Sequence, residues 1–132
     1  MQTRRSLLTT TLVLALPAMA LAHGPSRGPN GGQMQDIGSH HGELLAQDGR
    51  LTFFLFDGND RPLTVNGATA TAIVLGGGRQ QTVTFAPRPD GAALVASGEF
   101  RAEPGLRVVV QLTPAAGQPR VQARFTPVDA TR

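Results

Sequence analysis

The chain contains no cysteine, no tryptophan, no tyrosine and no lysine among its 132 residues. Without cysteine there is no disulfide staple, no lipid attachment through a processed N-terminal cysteine, and no Cys/His nucleophile pair. Without tryptophan and tyrosine the usual stacking platform for sugars or bases is missing. The calculated pI of 11.3 owes more to an all-arginine basic set than to a positive field. Counted from residue 23, ten arginines face nine carboxylates, a net charge of about +1, and no basic run with interleaved aromatics occurs. That composition excludes nucleic acid as the partner. The arginines read as scattered and solvated. No Ser/His/Asp set is recognisable either, and no tyrosine is available as an axial group for a copper oxidase, so the chain is not read as an enzyme.

Only one long apolar run exists. It stretches from Leu7 to Met19, follows Arg4 and Arg5, and closes on Ala20-Leu21-Ala22. A basic start, an apolar middle and an A-x-A end form a secretory signal peptide, too short and too quickly followed by Gly/Pro to span a membrane. Cleavage after Ala22 is expected, by the general or the twin-arginine route, giving an exported, periplasmic or secreted protein without stable membrane insertion. The remaining 110 residues make one domain.

Histidine is scarce and concentrated: all three lie at His23, His40 and His41, with Met34, Asp36 and Glu43 close by. Imidazole is the commonest transition-metal ligand at neutral pH, so this stretch is the candidate metal site. Cleavage would make His23 the first residue, able to chelate through its α-amine and ring Nδ1, a pattern that copper(II) favours when a second imidazole is in reach. Residues 23–39 read as a flexible Gly/Pro-rich arm. From His40 the pattern turns β, with the Asp48-Gly49 hairpin signature between His40–Gln47 and Arg50–Asp57. Strand alternation then puts His41, Glu43 and Leu45 on one face and His40, Gly42 and Leu44 on the other. His41 with Glu43 can therefore form half of a zinc(II) or copper(II) site or merely a hydrogen-bonded pair supporting one, whereas His40 points away unless the strand begins later and the two histidines converge on a loop. Met34 offers a soft thioether for copper(I), or simply packs.

Downstream, 57–62 reads as a turn rather than a calcium loop, since the twelve-residue pattern with a closing glutamate is absent. A second hairpin is expected around Gly76-Gly77-Gly78, and a last strand pair at 106–113 and 121–125. The sum is an all-β antiparallel sandwich of about seven strands, immunoglobulin-like or related, over 40–127, with a short tail at 128–132.

At Pro29-Asn30-Gly31-Gly32, Gly38, His41 and Glu43 the chain resembles small exported bacterial proteins that begin His-Gly-Pro-Asn-Gly-Gly and continue to Gly-x-x-His-x-Glu-Leu. The same module resembles the extra N-terminal domain of some periplasmic adaptor subunits of cobalt–zinc–cadmium and copper efflux pumps. The resemblance implies heavy-metal binding or homeostasis, and the residue reading adds His41 and Glu43 as the leading ligands of a copper or zinc ion, with His23 and His40 as auxiliaries. The chain departs from the pattern where Pro25-Ser26-Arg27-Gly28 is inserted after the His-Gly pair, and where His40 replaces an aromatic. The resulting expectation is a buffer, sensor or carrier for copper or zinc. Its alternative is a non-metal interaction module docking on an efflux-pump adaptor or another envelope component.

Overall fold

The structure, a computed structural model, describes residues 26–129. The expected leader 1–22 and His23 lie outside the described residues. Apolar and polar residues alternating at a period of two give each strand one face to bury, and stacking sheet on sheet covers both faces. The strands are β1 (Ser26–Arg27), β2 (Gln33–Ile37), β3 (His40–Gln47), β4 (Arg50–Phe56), β5 (Thr69–Gly76), β6 (Arg79–Thr84), β7 (Ala86–Pro87), β8 (Leu94–Ser97), β9 (Arg107–Thr113) and β10 (Val121–Phe125). They form a six-stranded sheet in the order β1-β2-β3-β4-β8-β7 and a four-stranded sheet in the order β10-β9-β5-β6. Every pairing is antiparallel. The all-β, two-sheet architecture is the one the sequence predicts.

The hairpins sit where turn chemistry places them. Gln47 pairs with Arg50 across Asp48-Gly49, and Gly76 pairs with Arg79 across Gly77-Gly78, whose φ angles are +58° and +74°. Only glycine adopts that pair of angles without a steric penalty. The described strands outnumber the expected seven for two reasons. Two of them, β1 and β7, are two-residue pairings at the sheet margins. The third difference is β2, which occupies the segment read as a flexible arm. It pairs with β3 through a two-residue turn at Gly38-Ser39, with Gly38 at φ +60°.

One apolar core lies between the sheets. Phe53 packs on Phe85 at 6.3 Å and edge-on against Phe125 at 6.2 Å, an arrangement that suits aromatic quadrupoles. Gly42 makes room for this cluster, because a Cβ there would lie 2.5 Å from Phe53 Cζ. Side-chain amides clasp the sheets at both margins. Gln33 Oε1 accepts from Thr126 N–H at 2.7 Å on one side. On the other, Gln81 donates to Glu99 O at 2.7 Å and accepts from Glu99 N–H at 2.9 Å. Val128, in the expected tail, packs against the core.

Candidate functional site

The β2–β3 register sets Asp36 opposite His41, and the β3–β4 register sets His41 opposite Phe56, the last residue of β4. All three side chains therefore point out of the six-stranded sheet, away from the core. The chain leaves β4 through a turn that Asp57 closes with its own carboxylate. Its Oδ1 accepts from Asn59 N–H at 2.8 Å and Arg61 N–H at 2.9 Å. These backbone donors, Arg61 first, hold the Asp57 carboxyl below its ordinary pKa against an opposing effect of burial. The turn puts Asp60 at φ +62°, a left-handed conformation that aspartate tolerates better than most residues.

Asp60 thereby reaches His41. Its Oδ1 lies 2.5 Å from His41 Nδ1, and Asp36 Oδ1 lies 3.1 Å from Nε2 on the far side of the ring. The hydrogen bond with Asp60 is the chief reason the His41 pKa stands above 6.5, assisted by the charges of Asp60, Asp36 and Asp57 and opposed by burial. With an acceptor at each nitrogen, the imidazolium is the protonation state that donates to both. The His41 side chain remains 30% exposed, and it lines an open pocket of about 550 Å³ together with Ser26, Arg27, Pro29, Met34, Asp36 and Asp60.

Glu43 shares the outer face of β3 with His41, as the alternation predicts, but its surroundings differ. It is fully buried beneath the chain at 28–32. Oε2 accepts from Asn30 N–H at 2.9 Å and Gly32 N–H at 2.8 Å, while Oε1 accepts from Asn30 Nδ2 at 2.9 Å. A Cβ on Gly28 would stand 2.2 Å from Glu43 Cδ, and one on Gly32 would stand 2.6 Å from Leu44 O. The Pro29-Asn30-Gly31-Gly32 segment is thus a turn built to cap one buried carboxylate. Arg27, just before it, pairs with Asp129 near the end of the described chain.

His40 lies on the opposite face of β3, opposite Ile37, so the two adjacent histidines do not converge. Met34, paired with Glu43 on the outer face, does line the His41 pocket. Sequence reasoning noted Asp36 only as a neighbour of the histidines and gave Asp60 no part in the site. Asp36 was detectable from the Gly38-Ser39 turn, which sets its register against His41, whereas Asp60 depends on a left-handed turn that no local pattern specifies. Among the described residues no group of three or more His, Cys, Asp or Glu side chains is arranged to hold a metal ion. Asp36 and Asp60 occupy opposite nitrogens of one ring, so His41 does not bring both to a single ion. No family model, no curated protein and no solved structure matches this chain.

Proposed function

We propose that the chain is an exported binding protein for a copper or zinc ion, acting as a buffer, sensor or carrier. The observation that carries this reading is His41 held by Asp60 at Nδ1 with Nε2 beside Asp36 in an open pocket. A carboxylate on one imidazole nitrogen fixes the ring and its tautomer so that the other nitrogen can ligate, the arrangement typical of metal-binding histidines. His41 Nε2 and the Asp36 carboxylate are then the donors, with Asp60 as the group that orients the His41 ring and the Met34 thioether at hand for copper(I).

Two donors are too few for copper(II) or zinc(II), which take at least three protein ligands in stable sites. The remaining donors in this reading are the α-amine and ring of His23, freed by cleavage after Ala22. Ser26 lines the pocket, and His23 lies three positions before it in the sequence. Glu43 is left out of the ligand set because its oxygens already accept three N–H bonds. His40 is left out because it faces the other way. The two-sheet frame, read as an immunoglobulin-like or related sandwich, serves as a rigid support that needs no metal to fold.

Native mass spectrometry with copper(II) and with zinc(II) tests this on two chains, one beginning at His23 and one at Ser26. One equivalent retained by the first and markedly weaker uptake by the second is the expected result. No uptake by either chain would transfer the function to the non-metal interaction module.

A further inference from the structure

Strand β9 alternates core residues Val108, Val110 and Leu112 with Arg107, Val109 and Gln111 on the outer face of the four-stranded sheet. The register carries this face across the sheet, so that Arg124, Val109, Ile73 and Thr82 form one row. Arg107 lies one diagonal step from Arg124, at about 7–8 Å between Cα atoms. Arg120 borders a shallow groove of the same face beside Gln111. The four strands of this sheet contain neither Asp nor Glu. Arg107, Arg120 and Arg124 are exposed, and the ion pairs among the described residues involve other arginines. Arginines that look scattered in sequence are therefore gathered on one face by the antiparallel pairing of the consecutive strands β9 and β10. The acids Asp36, Asp57 and Asp60 collect instead at the His41 end of the other sheet.

We propose that this outer face docks an acidic surface of a partner protein, whose carboxylates pair with Arg107, Arg120 and Arg124 around an apolar centre at Ile73 and Val109. Ile73 and Val109 are half-buried neighbours directly opposite each other, flanked by planar guanidinium groups that take carboxylates bidentately. An apolar centre ringed by arginine matches the composition of protein interfaces. A lipid surface is the poorer fit. Membrane-surface elements carry exposed aromatic anchors, and the one aromatic residue in these four strands, Phe125, is buried in the core.

Amide chemical-shift mapping with an oligoglutamate peptide as the probe tests the proposal, with flotation on phosphatidylglycerol vesicles and sedimentation of the protein alone run in parallel. Shifts centred on β5, β9 and β10, abolished by salt and weakened about tenfold or more in Arg107→Glu/Arg124→Glu, are expected. Both substituted residues are exposed, so the variant's remaining amide spectrum should match the wild type. Absent shifts, or shifts centred on the Asp36–His41 end, would overturn the proposal. Arginine-dependent flotation would assign the face to membranes, and arginine-dependent self-association would assign it to a second copy of the chain; either overturns the acidic-partner assignment.

Discussion

Glu43 and His41 are two residues apart on one strand face, yet their surroundings give them different work. Glu43 is sealed under the 28–32 turn, and three N–H groups converge on it. Replacing it with alanine removes acceptors that a partly buried turn cannot easily replace with water. Glu43→Ala should therefore lose about 2–4 kcal/mol of stability by denaturant unfolding, and the 26–32 segment should gain fast amide exchange. His41 is open to the pocket and bound to two carboxylates, so its charge state follows pH. Its pKa is raised in the folded protein. The stabilisation from its pairing with Asp60 is thus fully present below the unfolded value near 6.5 and is lost as pH rises through the higher folded value. The stability gap between the metal-free wild type and Asp60→Asn should be wider near pH 6 than near pH 9, since asparagine tolerates the same left-handed backbone. The proposed metal affinity would run the opposite way, because protons compete for Nε2. Binding should begin to weaken at a pH above the ordinary histidine value as acid is added.

Hairpins decide how these residues meet. The Asp48-Gly49 and Gly77-Gly78 turns are written in the sequence, and β3, β4, β5 and β6 begin and end close to where those turns place them. From β3 alone the facing of His40 and His41 was legible. The 33–37 strand was not, because Gln33-Met34-Gln35-Asp36-Ile37 shows no apolar alternation and is strand only through its pairing with β3. For the same reason the Pro29-Asn30-Gly31-Gly32 motif read as loose turn chemistry, when its tertiary partner is a glutamate 11 to 13 residues later. Asp60 escaped because its reach depends on a left-handed φ fixed by Asp57. Gly42 shows the opposite case, a residue that looks unremarkable in a strand but has the Phe53 ring over its Cα. Gly42→Ala should lose about 1–3 kcal/mol by overpacking, readable as a lower urea midpoint with an unchanged slope.

Among the described residues the sheets meet through apolar side chains and the amide clasps Gln33 to Thr126 and Gln81 to Glu99, none of which involves a histidine. The far-UV spectrum of the exhaustively chelated protein should therefore already be that of a β-protein and should not change when metal is added. The proposed binding site sits at one end of this frame, where β2, β3 and the loop after β4 converge on His41. Calorimetric titration of the chain beginning at His23 with copper(II) or zinc(II), repeated for His41→Ala and His40→Ala, tests that placement most directly. The account predicts saturable one-to-one binding, a loss of about tenfold or more in His41→Ala, the size of one ligand's worth of free energy, and little change in His40→Ala. Equal losses in the two variants, or no binding by the unmodified chain, would contradict it.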